Sequence, residues 1–134
     1  MRRFLLLSAL MAVSLLAIAG VSSAARSGVS AAPARVNFVR VPVGSSVTAF
    51  ITMQNNTGSS VVLSSIDVPS GGFTGISGAC ASPITPGDTC NAAIRFAPTA
   101  AGNFGGKVVF HWDDESSPGT EVTTTTVGVT GKAG

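Results

Sequence analysis

The chain has 134 residues, of which 45% are hydrophobic and only 10% charged, and its formal net charge is +2. Arg2 and Arg3 supply that excess; beyond them Arg26, Arg35, Arg40, Arg95, Lys107 and Lys132 balance Asp67, Asp88, Asp113, Asp114, Glu115 and Glu121. A body this neutral and sparsely charged has no electrostatic footprint for nucleic acid or an anionic membrane, and the length allows one domain.

The first two dozen residues do not read as part of that domain. A basic start, Met1 to Arg3, leads into the apolar run Phe4 to Ile18, and small residues follow in Ala17-Ile18-Ala19 and Ser22-Ser23-Ala24. This is the three-part pattern of a signal peptide over residues 1–24. The run is shorter than the ~20 apolar residues that span a bilayer, so no membrane span is expected in the mature chain. Residues 25–33, which take in most of the small and polar stretch RSGVSAAPA at 26–34, read as a flexible lead, and the domain is expected over 34–134.

From there a period of two dominates. Strands are expected over Val36 to Val41, then Ser46 to Gln54 with Val47, Ala49, Ile51 and Met53 on one face, then Val61 to Val68. Cys90 to Phe96 sets Ala92, Ile94 and Phe96 inward, Lys107 to Trp112 sets Val108, Phe110 and Trp112 inward, and Glu121 to Gly131 does the same with Val127 and Val129. Short strands at roughly 10-residue spacing, with Gly, Pro and Asn between them, indicate an all-β sandwich of about seven antiparallel strands. After Phe96, Pro98 cannot donate to a ladder and Gly102 permits a positive φ, so Pro98 to Gly102 reads as a corner before the next strand.

Cys80 and Cys90 flank ASPITPGDT, a segment that turns on two prolines and a glycine. In an oxidising compartment the two thiols pair, which agrees with export. A two-thiol metal or redox site is the alternative, although it calls for closer spacing or further ligands.

Taken together, ITMQNNTGSSVVLSSIDV, GGFTGISGAC, PITPGDTCNAAIRFAPTAAGNFGGKVVF and VGVTGKAG resemble the ASH-type immunoglobulin-like domains, in particular the bacterial exported branch called choice-of-anchor D. The residues that carry the resemblance are Asn56, Thr57, Gly58, Cys80, Pro86, Gly87, Cys90, Phe96, Pro98, Thr99, Gly102 and Gly131. Two departures stand out: Asn55 is one extra residue before the Asn-Thr-Gly turn, and the end reads Gly-Lys-Ala-Gly. The resemblance implies an immunoglobulin-like β-sandwich and a protein-binding or architectural role, and it brings no catalytic residues with it.

Chemistry is sparse in the sequence. His111 is the single imidazole, and alternation points it away from Phe110 and Trp112, onto the outer sheet face. With both cysteines paired, no nucleophile can be assembled with a base and an orienting partner, so neither an enzyme nor a cofactor is expected. Asp113, Asp114 and Glu115 form one acidic cluster in HWDDESSPGTEV, where oxygen ligands could gather a Ca²⁺ only if the loop folded them together. No metal site is therefore assigned. Asn55-Asn56-Thr57 fits a glycosylation pattern and equally an ordinary turn.

Trp112 alternates with core residues yet ends its strand beside the acidic loop, where an exposed aromatic would anchor a partner. The candidate partner-binding residues are accordingly Trp112, Asp113, Asp114 and Glu115. The sequence thus describes an exported, non-catalytic module, periplasmic or secreted, whose partner is another envelope or extracellular protein. The alternative is a pilus-like assembly subunit that uses strand addition, for which the Thr-rich run TEVTTTTVGV would supply the edge.

Overall fold

The computed structural model describes residues 28–134, so the leader expected over 1–24 lies outside the described residues. Eight strands form: β1 (Val29–Ala32), β2 (Arg35–Val41), β3 (Val47–Asn55), β4 (Val61–Asp67), β5 (Phe73–Ile76), β6 (Thr89–Phe96), β7 (Gly102–Asp114) and β8 (Ser117–Ala133). One 3₁₀ turn, Gly78–Ala81, precedes β6. They make two four-stranded sheets, β1-β3-β6-β5 and β2-β8-β7-β4, packed face to face as a β-sandwich. No helix among the described residues is long and apolar enough to cross a membrane.

The alternation read from the sequence decides which side chains enter the core. Ile51 and Met53 from β3, Ile94 and Phe96 from β6, Val108, Phe110 and Trp112 from β7, and Val127 from β8 are all fully buried. Apart from the buried Ala93, their neighbours at odd spacing are exposed or half-exposed, which is the pattern of antiparallel sheets wet on one side. Phe38, Phe73 and Phe96 pack at one end of the core with ring centroids 4.7 to 6.2 Å apart, and Phe104 closes against Phe96 at 6.3 Å. Trp112 fills the opposite end.

The corner after β6 is also where the sequence put it. Pro98 leaves the ladder and its carbonyl accepts from Gly44 N–H at 3.1 Å, while Gly102 has φ +144 and opens β7. Gly131, the closing glycine, sits under the Phe96 ring: a Cβ there would stand 2.5 Å from a ring carbon. Only a residue without a side chain allows that approach.

Three features correct the sequence reading. Residues 29–32 are not a flexible lead: β1 pairs antiparallel with Thr52 to Asn55, Val29 is buried, and Thr125 Oγ1 donates to the Val29 carbonyl at 2.6 Å. Backbone pairing and one inserted valine order a stretch that its small residues made look loose. The strand count rises to eight because β1 and the four-residue β5 are too short to show an alternation. Finally, not every pairing is antiparallel. After Pro33 the chain crosses to the other sheet, where β2 runs parallel to the last turn-free stretch of β8, from Arg35 opposite Gly128 to Val41 opposite Ala133.

Candidate functional site

β7 and β8 are one long hairpin, and the acidic cluster is its tip. The ladder continues to Asp114 opposite Ser117 through two register shifts, which leaves only Glu115 and Ser116 as the turn. The expected loop is therefore much tighter than the sequence suggested. Asp114 builds that turn: Oδ1 accepts from Ser116 N–H at 2.8 Å and from the Ser116 hydroxyl at 2.6 Å. These bonds hold its carboxyl below the ordinary carboxylate value, since they are made to the charged form. Asp113 Oδ2 accepts from Gly119 N–H at 3.0 Å and ties the β8 side of the tip.

The tip does not stand free. Ser59 Oγ donates to Asp114 Oδ2 at 3.3 Å and Glu115 N–H donates to the Ser60 carbonyl at 3.0 Å, so the β3–β4 turn and the hairpin tip form one polar pole of the sandwich. Asn55, the extra residue before that turn, organises it from inside. It is fully buried; its Nδ2 donates to the carbonyls of Ser59 at 2.9 Å and Ile84 at 2.8 Å, and its Oδ1 accepts from the Thr57 N–H and hydroxyl at 2.9 and 2.6 Å. Its backbone pairs with Asp88 and Gly87 in the segment closed by the cysteines. Both amide hydrogens are committed, so the folded Asn55-Asn56-Thr57 segment offers no free amide for glycosylation.

The cysteines are paired. A Cys80–Cys90 disulfide, with Cα atoms 5.2 Å apart, joins the 3₁₀ turn to β6, and both residues are buried. This settles the choice between a bridge and a two-thiol metal or redox site.

The other sequence-predicted residues separate. Trp112 is fully buried and its Nε1–H donates to Thr125 Oγ1 at 3.0 Å, so it belongs to the core and is not a rim aromatic at the tip. Asp113 and Asp114 are half-buried and Glu115 is exposed. The Asp113 carboxylate accepts from Gly119 and the Asp114 carboxylate from Ser116 and Ser59, so the two serve separate contacts and share no donor. Among the described residues no three His, Cys, Asp or Glu side chains are grouped to hold a metal ion.

Sequence reasoning placed His111 on the outer face correctly but missed its partners. Nδ1 hydrogen-bonds Glu121 on β8, and Nε2 hydrogen-bonds Asp67 on β4 at 2.7 Å. The imidazole lies between two carboxylates on strands either side of β7, and those two bonds, Glu121 first, raise its pKa above the usual 6.5. The carboxylates sit on opposite ring nitrogens, which makes a cross-strand clamp and not a shared ligand set. The strand register that brings them together has no local sequence signal.

Two four-stranded sheets, a parallel pairing of β2 with β8, a disulfide at the sandwich edge and a side-chain-bonded polar pole define an immunoglobulin-like β-sandwich. The sequence profile of the ASH family (Abnormal spindle-like microcephaly-assoc'd, ASPM-SPD-2-Hydin) matches residues 25–119. The chain belongs to the ASH family.

Solved structures agree on the fold. The ASH/PapD-like domain 7 of human CEP192 is similar at a TM-score of 0.55 and 12% identity, covering 80% of this chain and 85% of that one. SSP-19, an MSP-domain protein like family member of Caenorhabditis elegans, is similar at 0.55 and 15%, covering 78% and 99%. The Vibrio cholerae VesB protease contains a similar sandwich at 0.56 and 14%, covering 73% of this chain; the chain spans only 30% of that protease. Among curated protein sequences none matches the chain significantly.

Proposed function

We propose that the chain acts as an exported, non-catalytic module that binds another protein at the cell envelope or outside the cell. The observation that carries this reading is an ASH-family sandwich stapled by a buried disulfide. Structural disulfides form and persist in oxidising compartments, and the signal-peptide pattern of residues 1–24 supplies a route to one. Interaction modules of this shape bind through their loops and sheet edges. The choice-of-anchor D motifs favour the exported bacterial branch of the family. No cofactor enters this reading, and no enzymatic step is assigned to the chain.

The surface proposed for the partner is the pole that carries Asp113, Asp114 and Glu115, without Trp112. Glu115 is exposed there, and the Ser59–Ser60 backbone beside it is held in a fixed shape by Asn55. The test has two parts. Intact mass of the protein recovered outside the cytoplasm of an expressing bacterium should lack residues 1 to about 24 and contain no free thiol. A chain that keeps Met1 and titrates with two thiols would remove the compartment. A partner captured on the oxidised protein and then purified should bind wild type, and lose affinity to the double variant Asp113→Asn with Glu115→Gln.

One observation favours a second reading, strand addition. β8 is flanked by β2 only from Gly128 onward, so its Thr-rich half pairs with β7 alone and is an edge, with Val122 exposed beside it. Proline at Thr124 removes one backbone donor from that edge. If Thr124→Pro alone abolishes binding in protein shown to be folded, the partner adds as a strand.

A further inference from the structure

On the outer face of the β2-β8-β7-β4 sheet, Gly128 of β8 lies in one row with Arg35 of β2 and Lys107 of β7, its two cross-strand partners. Paired residues in a sheet project to the same side and neighbouring strands lie about 4.8 Å apart. The two cations therefore flank a position that has no side chain. Thr126 and Thr130, two residues before and after Gly128 on the same strand, project to that same side at about 7 Å along the strand. The result is a glycine floor with an exposed cation to the left and right and an exposed hydroxyl above and below. Asn37, opposite Thr130, adds an amide at one corner. These residues line an open hollow of about 580 Å³.

Neither cation is neutralised. Among the described residues the only ion pairs are those of His111 with Asp67 and Glu121, and residues 1–27 contain no Asp or Glu at all. In a body with six cations and six anions, two unpaired cations converging across a glycine form a local positive site that the net charge conceals. Donors approaching from four directions suit an acceptor with oxygens in several directions. A tetrahedral oxyanion meets that requirement, whereas a planar carboxylate presents two oxygens on one side. Arg contributes its planar fork and Lys a point charge, the usual combination for phosphate oxygens.

We propose that the hollow over Gly128 is a binding site for a tetrahedral oxyanion, a phosphate or sulfate group held between Arg35 and Lys107 with Thr126 and Thr130 donating their hydroxyls. Its size is within the ~300–1,000 Å³ range of small-molecule sites, so it has room for an ester that carries the group. The site is separate from the acidic pole and does not depend on the protein-binding reading.

The experiment is a titration of the ¹⁵N-labelled full chain, disulfide intact, followed by amide shifts at constant ionic strength in chloride. The probes are inorganic phosphate, glycerol 2-phosphate and acetate. Phosphate and its ester should give saturable shifts centred on Arg35, Lys107, Thr126, Gly128 and Thr130, and acetate should not. Tighter binding of the ester than of inorganic phosphate assigns the site to an esterified ligand, and the reverse order assigns it to the free anion.

Arg35→Gln and Lys107→Gln should each weaken binding by about tenfold, as the loss of one charge-assisted bond requires. Gly128→Val fills the hollow itself. A Cβ at Gly128 meets only the Arg35 Cγ, at an ordinary 3.5 Å, so this variant should fold, as Trp112 fluorescence will report, and lose binding. Linear shifts no larger than those of chloride, equal binding of acetate, or unchanged affinity in all three variants would overturn the proposal.

Discussion

Asn55 offers the sharpest test of how the pole is held, because the best steric mimic should be the worst replacement. Truncation to Ala removes four hydrogen bonds. At about 1 kcal/mol net each, their loss sets a ceiling of about 4 kcal/mol. The Ile84 carbonyl keeps the Val61 N–H at 3.1 Å, and the Ser59 and Thr57 groups are near enough to water to regain partners. Asn55→Ala should therefore cost about 2–3 kcal/mol. Asn55→Asp keeps the shape but turns an oxygen toward the carbonyls of Ser59 and Ile84, at a position fully removed from solvent. The Thr57 donors stay on the other oxygen, but a buried carboxylate with no cation beside it and two carbonyls facing it costs about 3–5 kcal/mol, more than the truncation.

The sign with pH follows from linkage. The carboxyl that Asn55→Asp introduces has a folded pKa raised above its unfolded value of about 3.9. Its penalty is therefore absent well below that value and grows as pH rises until the folded pKa is passed. Urea unfolding monitored by Trp112, the single and buried tryptophan, reads both variants with wild type at each pH. The expected order at about pH 7.5 is wild type, Asn55→Ala, Asn55→Asp, with the last two converging in acid. An Asp variant as stable as the Ala variant at neutral pH, or a gap between them that ignores pH, would refute the reasoning.

Replacing Cys80 and Cys90 by Ala opens a loop of sequence separation 10, and on the loop-entropy estimate should cost about 2–4 kcal/mol in urea unfolding, with Trp112 still buried in the folded fraction. His111 should titrate above 6.5 by ¹H–¹⁵N NMR, and Glu121→Gln should lower that pKa more than Asp67→Asn does, since Glu121 is the larger cause. The clamp's contribution to stability is complete below about pH 6.5 and fades as pH rises through the higher folded value, so His111→Gln should flatten the stability profile across that window. Gly131→Ala drives a methyl into the Phe96 ring and should lower stability by about 1–3 kcal/mol; wild-type stability in that variant would show that the ring has room to move.

The inward faces of β3, β6, β7 and β8 could be read in the sequence because a buried face enforces strict alternation, and Ala49 to Met53, Ala92 to Phe96 and Val108 to Trp112 are long enough to display it, although Val47, expected on the same face, lies at the open end of β3 and is exposed. β1 and β5 could not. In four residues, hydrogen bonds to β3 and β6 outweigh any pattern of side chains. The disulfide was legible from two cysteines on either side of a turn-forming segment. The candidate site was legible as composition only: the acids were visible, but Trp112 is resolved by burial, and the side chains that share the outer face come from different strands. Asp67, His111 and Glu121 are brought together by register, as are Arg35, Gly128 and Lys107. Asn55 looked like an insertion that disturbs a turn, and its burial shows it to be the residue on which the turn is built.

The parallel pairing of β2 with β8 also determines how this domain carries mechanical load. A pull on the chain before Val29 draws β2 backward along its own axis, while a pull beyond Ala133 draws β8 forward. The two strands then slide past each other in shear, and the ladder from Arg35–Gly128 to Val41–Ala133 must yield together instead of opening one bond at a time like a zip. β1, anchored on the opposite sheet by β3, takes up the first part of that force. A link in a tethered assembly would transmit tension through these two strands and leave the hairpin tip and the Gly128 hollow undistorted until the ladder fails.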